Sequence, residues 1–310
     1  MSGPRLLVVV KTSSYRAYVE EQRDPRTVAL LAKKDPTVRR LLASHEAHEA
    51  TRREVMEAVD KLGVTARYVA AVGAKVDMSE KGQVDLVVTV GGDGTLLAAS
   101  HEVGAETPIL GINSAPSHSV GFFCGAEQGG VAAALADALA GTMRATVLSR
   151  MQVTLNGTCL CRRVLNDALF CHEIPAATSR YIVTVEHQNG RAQAEEQKSS
   201  GLWIGPAAGS TAAQHSAGGR VLPLASRRIQ YVVREPYSPI HLQRGTLAEG
   251  GRVVLQSKMR AARVFLDGPH LAHEAGLGDV VTLERSAEPL TVLGLSRDRR
   301  ARLRREPSPA

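Results

Sequence analysis

A short turn that joins three glycines to one acid is the first candidate for chemistry. Residues 91–95, Gly-Gly-Asp-Gly-Thr, follow the apolar, β-branched run of residues 86–90. Glycines at the carboxyl end of a strand let a ligand approach the backbone, and amides at the start of the next helix attract phosphate. A carboxylate repels phosphate, so we interpret Asp93 as a general base or a magnesium-facing ligand. The alternative is that Asp93 caps a helix that begins at Thr95.

A second candidate is the polar pair Asn166-Asp167, which interrupts apolar residues in what reads as a buried strand. Burying a polar group without a partner costs roughly 2–7 kcal/mol, so both side chains need hydrogen-bonding partners. The vicinal hydroxyls of a ribose can supply them. The alternative is a turn at the end of a strand, which Asn-Asp pairs also form.

A third candidate is residues 205–223, a stretch of small and hydroxylated residues with almost no bulky side chains. Small residues admit a planar ring against the backbone, and Thr211 and Ser216 can fix its orientation by hydrogen bonds. A flexible glycine-serine linker is the alternative. The alanines and the helix-like start Thr211-Ala212-Ala213 disfavour it.

The elements around these candidates change in character near residue 148. Before it, apolar strands alternate with helical segments: strands near 5–10, 66–72, 85–90 and 108–113, a charged helical region near 24–62 broken at Asp35-Pro36, and helices from 95 and near 127–141. This alternation predicts βαβ units and a parallel sheet. After it, short strands are separated by turn signals such as Asn156-Gly157 and Asn189-Gly190, a pattern typical of antiparallel sheets.

We therefore predict an α/β N-terminal domain with a parallel sheet, over residues 1–147, and an antiparallel β domain over residues 148–286. The length of 310 residues is sufficient for two cores. No apolar run approaches the ~20 residues of a membrane span, and the N-terminal apolar run is too short for a signal peptide, so we expect a cytoplasmic protein.

Charge and cysteine content exclude several other classes. The formal charge is +7, of which the arginine-rich segment from Arg297 to Glu306 contributes +4. With one Trp and four Phe available for stacking, and no recognition motif, we expect a solvated tail and no nucleic-acid partner. Cys159-x-Cys161 lacks a second pair at zinc spacing, so no metal site formed by the protein alone is predicted, and the cysteines are expected to be reduced.

The three candidates, in this order, resemble the signature set of the NAD kinase family. The resemblance extends from Leu6 to about Leu295 and includes residues 108–113 and Leu266-Asp267-Gly268. It implies that a final segment, about 287–310, returns to the first domain. It also implies transfer of a phosphoryl group from ATP, with Mg²⁺ or another divalent cation, to the 2′-hydroxyl of the adenosine ribose of NADH or NAD.

The resemblance also implies roles for individual residues. Asp93 would activate the hydroxyl, and Asn166 with Asp167 would hold the dinucleotide. The remaining residues expected to contact the substrates are Gly92, Gly94, Thr95, Thr211, Ala212 and Ser216. A homodimer or homotetramer is implied as well.

Two positions depart from the usual family pattern. Ser200 stands where most members have an aspartate, and Ala213 stands where most have a tyrosine. Both substitutions resemble the NADH-preferring branch known in plants. Because oxidised nicotinamide is cationic, loss of a nearby carboxylate removes a preference for NAD⁺.

Two other functions compete with this interpretation. Diacylglycerol-type lipid kinases share the Gly-Gly-Asp-Gly turn, but no amphipathic helix with an aromatic face is evident here. A non-catalytic dinucleotide sensor would keep the pocket and would not need Asp93. Whether ATP or inorganic polyphosphate is the donor is left open by the sequence.

Overall fold

The computed structural model describes residues 3–72, 75–76 and 84–295. The chain divides into two compact units, unit 1 (Met1–Thr146 with Thr291–Ala310) and unit 2 (Val147–Leu290). The arginine-rich tail discussed above lies outside the described residues.

The strands alternate with helices in the first half of the chain and follow one another in the second. The strands are β1 (Arg5–Lys11), β2 (Thr65–Val72), β3 (Lys75–Val76), β4 (Leu86–Gly91), β5 (Ile109–Asn113), β6 (Cys124–Glu127), β7 (Ala145–Leu148), β8 (Met151–Leu155), β9 (Thr158–Val164), β10 (Ala168–His172), β11 (Ser179–Glu186), β12 (Ala192–Ser199), β13 (Gly201–Pro206), β14 (Ile229–Arg234), β15 (Arg244–Leu247), β16 (Arg252–Ser257), β17 (Ala262–Leu266), β18 (Leu271–Ala275), β19 (Val280–Arg285) and β20 (Leu290–Leu293).

Helices fill most of the connections between the early strands. These helices are α1 (Pro25–Ala32), α2 (Arg39–Leu62), α3 (Asp93–Ser100) and α4 (Val131–Leu139), with a π-helix at Arg16–Glu21 and a 3₁₀ turn at Pro36–Val38. A 3₁₀ turn at Ala207–Thr211 and the short helix α5 (Ala213–Ser216) lie between β13 and β14. Among the described residues, no helix combines the length and the apolar character that a membrane crossing requires.

Unit 1 is built on a mainly parallel sheet, as predicted. Its strand order is β3-β2-β1-β4-β5-β20-β7, and β6 pairs with β5. The pairs β1–β2, β1–β4, β4–β5 and β5–β20 are parallel, whereas the short edge strand β3 is antiparallel. Every residue of β4 is buried, which explains its unalternated apolar sequence.

The predicted break in the charged helical region is confirmed. The Asp35 side chain accepts the amide of Thr37 at 2.9 Å, and Pro36 begins the 3₁₀ turn that precedes α2. The helix expected near 127–141 is shorter, because residues up to Glu127 pair with β5 and Gly129 (φ +88°) forms a turn before α4.

Unit 2 contains two antiparallel sheets with the strand orders β15-β14-β13-β10-β17-β18 and β12-β11-β16-β19-β8-β9. Both predicted hairpins are confirmed. Asn156 (φ +49°) and Gly157 (φ +80°) connect β8 to β9, and Gly190 (φ +80°) lies in the turn between β11 and β12. Side chains from the two sheets share one core, in which the rings of Phe170 and Tyr181 meet edge to face at 5.6 Å. The predicted fold class is therefore correct.

Candidate active site

The Gly-Gly-Asp-Gly turn lies where β4 passes into α3. A Cβ on Gly91 would stand 2.2 Å from the Thr95 hydroxyl oxygen, and one on Gly92 would stand 2.6 Å from the hydroxyl oxygen of Ser119. Gly91 requires glycine, because the Thr95 Cβ would also stand only 2.8 Å from its Cβ, whereas Gly92 meets only the movable hydroxyl of Ser119 at short range. Gly94, by contrast, is exposed and has open space around it. Gly91 is thus needed for packing within the protein itself.

Asp93 is the first residue of α3 and does not cap it. Gly92 is the N-cap residue, and no side chain caps the helix. The helix begins two residues earlier than predicted. The half-buried carboxylate of Asp93 instead accepts hydrogen bonds from two backbone amides. The Phe122 amide donates to Oδ2 at 2.8 Å, and the Phe123 amide donates to Oδ1 at 2.7 Å. These two amides take two of its roughly four acceptor positions and fix its orientation.

The segment that supplies these amides follows β5 and is itself held by a buried amide. Asn113 Nδ2 donates to the carbonyl of Ser119 at 2.9 Å, and Gly121 adopts φ +61° against the Asn113 side chain. Sequence reasoning did not identify this segment as part of the site. The donors are main-chain groups, which every residue except proline carries, so residue types gave no signal.

A cavity of about 340 Å³ opens beside this turn in unit 1. Gly92 lines it together with hydroxyl groups of several serines and a threonine. Its basic lining residues are Lys11, Arg40, His45, His48 and His118. Among the described residues that line it, none is an aspartate or a glutamate. Such a lining favours an anionic, oxygen-rich ligand.

Two of these histidines are held by hydrogen bonds. His48 is 3% exposed, and its Nδ1 lies 2.8 Å from the Ser114 hydroxyl. Burial, the largest cause, lowers the pKa of His48 to about 4, so this ring is neutral near pH 7. His45 Nδ1 lies 2.7 Å from the Ser13 hydroxyl, and Glu20, outside the lining, lies 3.7 Å from His45 Nε2. The neutral ring of His48 therefore adds no positive charge to the cavity near pH 7.

In unit 2, the pair Asn166-Asp167 lies between β9 and β10 and not inside a strand. The turn alternative describes its backbone correctly. Asp167 is nevertheless 4% exposed, and Asn166 Nδ2 donates to its Oδ2 at 3.2 Å. Burial, followed by repulsion from Asp267, raises the pKa of Asp167 to about 7. Asp167 is thus about half protonated at pH 7, where an ordinary aspartate is ionised.

The structure brings this pair together with the small-residue stretch. A Cβ on Gly209 would stand 1.6 Å from the backbone oxygen of Asn166, so the two segments are in direct backbone contact. Gln214 Nε2 donates to the same oxygen at 3.3 Å. Gln214 is fully buried and was not singled out from the sequence, because a lone glutamine carries no motif.

The other predicted residues of this stretch differ in exposure. Thr211 and Ala212 are half-buried, whereas Ser216 is exposed at the end of α5. Of the substrate-binding candidates, Gly92, Gly94 and Thr95 adjoin Asp93 in unit 1, and the other five belong to unit 2. In the described part of the chain, no three His, Cys, Asp or Glu side chains gather as they would around a metal ion.

Comparison with known proteins places this geometry in a family. Residues 7–142 match the family profile described as the ATP-NAD kinase N-terminal domain. A probable NADH kinase of Oryza sativa subsp. japonica is 36% identical over 230 residues, which cover 68% of this chain and 71% of that protein. An NADH kinase of Arabidopsis thaliana is 33% identical over 229 residues, covering 67% and 72% of the two chains.

Solved structures share the fold over almost the whole length. An NAD kinase from Archaeoglobus fulgidus in complex with ATP has a TM-score of 0.68 at 19% identity, covering 97% of this chain and 98% of that chain. Yeast NADH kinase complexed with NADH has a TM-score of 0.68 at 14% identity, covering 98% and 87% of the two chains. Since more than a third of the aligned residues match the rice protein across two thirds of both chains, this chain belongs to the NAD kinase family.

Proposed function

We propose that this protein is a kinase that transfers the γ-phosphoryl group of ATP to the 2′-hydroxyl of the adenosine ribose of NADH or NAD, forming NADP(H). The observation that carries the proposal is the Asp93 carboxylate, fixed by two backbone amides beside a cavity with a basic lining. Phosphoryl transfer requires a positioned acceptor, one base and neutralised phosphates, and this combination supplies the last two. Relatives named NAD kinase and NADH kinase support the same reaction.

Asp93 is proposed to act as the general base. Its carboxylate takes the proton of the 2′-hydroxyl while that oxygen attacks the γ-phosphorus. The bond between the γ-phosphorus and the bridging oxygen breaks, and ADP leaves. Because the Phe122 and Phe123 amides fix the carboxylate before substrate arrives, little reorganisation is needed during the reaction.

The basic cavity is proposed to receive the phosphates of the donor. Lys11 and Arg40 neutralise phosphate oxygens, and the hydroxyl groups of the lining donate hydrogen bonds to them. The family relative whose structure was solved with ATP supports ATP as the donor.

A divalent cation fits this arrangement. Mg²⁺ is usually held by one or two carboxylates together with substrate phosphates, and Asp93 is the carboxylate that adjoins the cavity at Gly92. We propose that Mg²⁺ or another divalent cation would be held mainly by the phosphates of ATP, so that the Asp93 carboxylate remains the proton acceptor. When bound, the ion neutralises charge on the phosphates.

The dinucleotide is proposed to bind in unit 2 through Asn166, Asp167, Thr211, Ala212 and Ser216. The contact between the Asn166 backbone and Gly209 supports this grouping, because it brings the two predicted segments to one place. Protonated Asp167 can both donate and accept a hydrogen bond, which matches a ribose hydroxyl.

We further propose that NADH is preferred over NAD⁺. Ser200 carries no charge, and its amide donates at 3.0 Å to the carbonyl of Arg234 on the neighbouring strand β14. The Arg234 guanidinium lies 5.9 Å from the centre of the Trp203 ring. Because Ser200 carries no carboxylate, it provides no attraction for the cationic ring of NAD⁺ over the neutral ring of NADH.

We also propose that the protein is cytoplasmic, as expected from the sequence, and that it forms a homodimer or homotetramer, on the strength of the family resemblance. Light scattering on the purified chain tests the assembly; a monomer at micromolar concentration would contradict it.

The proposed activity is tested by incubating the purified chain with ATP, Mg²⁺ and NADH, and then with NAD⁺. We expect a 2′-phosphorylated dinucleotide and ADP in equal amounts. Saturable NADH binding without product would indicate a dinucleotide sensor. Phosphorylation of diacylglycerol vesicles without phosphorylation of the dinucleotide would indicate a lipid kinase. Replacing ATP with inorganic polyphosphate in the same assay identifies the donor.

A further inference from the structure

Three consecutive backbone amides in unit 2 point to a single carboxylate. The Leu165 amide donates to Asp267 Oδ2 at 2.8 Å. The amides of Asn166 and Asp167 both donate to Asp267 Oδ1, at 2.7 Å and 3.0 Å. The residues that donate are 102, 101 and 100 positions away in the sequence. Residues 165–167 form the whole connection between β9 and β10, so Asp267 holds this connection along its length.

The backbone around Asp267 fixes where its carboxylate lies. Asp267 directly follows β17, whose last residue, Leu266, pairs with Ala168 of β10. Its own amide donates to the carbonyl of Asp167 at 2.8 Å, which extends the pairing by one step. Asp267 then adopts φ +50° and Gly268 adopts φ +117°, so the chain turns away immediately afterwards. The turn leaves the side chain facing the amides of residues 165–167.

These contacts replace the hydrogen bonds that an irregular segment lacks. Residues 165–167 belong to no strand, and Leu165 and Asp167 are buried. A buried amide without an acceptor destabilises the fold, and hydrogen bonds to a charged acceptor are roughly twice as strong as neutral ones. One carboxylate therefore satisfies three donors and confines the connection to one conformation.

The same connection carries the two polar side chains assigned above to the dinucleotide. The backbone oxygen of Asn166 contacts Gly209 and accepts a hydrogen bond from Gln214. The Asn166 side chain in turn donates to Asp167. Movement of the Leu165–Asp167 backbone would therefore displace both side chains together.

We infer that Asp267 is a positioning residue of the dinucleotide site, which acts through the backbone of residues 165–167 to aim Asn166 and Asp167 at the substrate. This inference rests on the proposed function for the identity of the ligand. Asp267 lies outside both the Asn-Asp pair and the small-residue stretch. The inference is that the affinity for NADH nevertheless depends on the position of its carboxylate.

The test compares Asp267→Asn with the control Asp279→Asn in the full chain. Asp279 also accepts a backbone amide, that of Gly276 at 2.7 Å, and a side-chain amide, that of Asn156 at 2.8 Å, but it lies in the turn before β19. Hydrogen–deuterium exchange is measured on the peptide covering 165–167, NADH affinity by fluorescence titration, and KM for ATP by steady-state kinetics. These three measurements separate positioning from general destabilisation.

In Asp267→Asn we expect amide exchange at 165–167 to accelerate at least about tenfold and NADH affinity to fall at least about tenfold. The KM for ATP is expected to stay within about twofold of wild type. In Asp279→Asn, the exchange rate at 165–167, the NADH affinity and the KM for ATP should all stay within about twofold of wild type. If Asp267→Asn folds poorly, Asp267→Glu keeps the charge and displaces the carboxylate by one methylene. We then expect near wild-type melting and an affinity loss of at least about threefold.

Faster exchange with unchanged NADH affinity would overturn the inference, because the contact would then be structural only. Unchanged exchange would overturn it as well. Failure of the proposed function appears differently, as wild-type protein that binds NADH and makes no phosphorylated product. In that case the binding comparison still decides the role of Asp267.

Discussion

At the scale of single residues, the site depends on acids whose partners are main-chain groups. Asp93 could be singled out from the sequence as a candidate because an acid among glycines at a strand end has few structural roles. Its partners, the amides of Phe122 and Phe123, could not be predicted, since residue identity says nothing about which amide points at a given carboxylate. The same holds for Asp267 and the amides of residues 165–167.

Asp167 leads to a prediction about stability and pH. Its pKa is raised from 3.8 to about 7 in the folded chain. A carboxyl group with a raised folded pKa stabilises the fold fully below its unfolded pKa, and this contribution is lost as the pH rises through about 7. Asp167→Asn removes this dependence. We therefore expect its melting temperature, relative to wild type, to rise between pH 4.5 and pH 7.5, as measured by calorimetry.

If the melting temperatures of Asp167→Asn and wild type changed by the same amount between pH 4.5 and pH 7.5, the account of Asp167 would be contradicted. The variant Asp85→Asn is a suitable control, because Asp85 is exposed at the start of β4. Its melting temperature relative to wild type should change little over the same range.

The second prediction at this scale concerns Ser200 and the redox state of the dinucleotide. A carboxylate within about 4 Å of a cationic ring stabilises it by about 1–4 kcal/mol, depending on solvent exposure. Ser200→Asp should therefore lower the ratio of kcat/KM for NADH to that for NAD⁺ at least about fivefold. Ser200→Asn adds similar bulk without charge and should leave the ratio within about twofold. An unchanged ratio in Ser200→Asp would discard the charge explanation.

At the scale of elements, local sequence predicted most strands and the order of the helices. The β-branched run of β4, the Asn156-Gly157 turn and the Asp35-Pro36 break each carry a local physical signal that the structure confirms. Boundaries were less predictable. At the start of α3, the Asp93 carboxylate bonds another segment and leaves the helix uncapped, and the short α4 depends on pairing of β6 with β5. Both causes are non-local.

Contact between elements leads to a prediction for Gly209. Its Cβ position lies 1.6 Å from the Asn166 backbone oxygen, so Gly209→Ala must separate the 3₁₀ turn from residues 165–167. Overpacking of this kind costs about 1–3 kcal/mol or more, and we expect a melting temperature lower by at least about 2 °C. NADH affinity should fall at least about tenfold in the same titration.

Gly276→Ala provides the matched control for Gly209→Ala. A Cβ on Gly276 meets only the Asp279 carboxylate, at an ordinary 3.6 Å. Its melting temperature and NADH affinity should stay near those of wild type. Wild-type NADH affinity in Gly209→Ala would show that the two segments do not form one binding site.

At the scale of the whole molecule, the change from alternating strands and helices to hairpins predicted the fold class correctly. What the sequence alone could not supply is long-range pairing. β20 enters the first sheet between β5 and β7, which begin about 180 and 145 residues earlier in the chain. The motifs of the family were identifiable from short stretches, but the cavity beside Gly92 is assembled from β1, α2 and the segment after β5.

The most direct test of the account is the turnover of Asp93→Asn, measured with NADH, ATP and Mg²⁺ alongside NADH affinity and thermal melting. Loss of a general base typically costs about 10²–10⁴ in rate, so kcat should fall at least about a hundredfold while NADH affinity stays within about threefold. A folded Asp93→Asn protein that retains more than a tenth of wild-type kcat would contradict the central role given to this carboxylate.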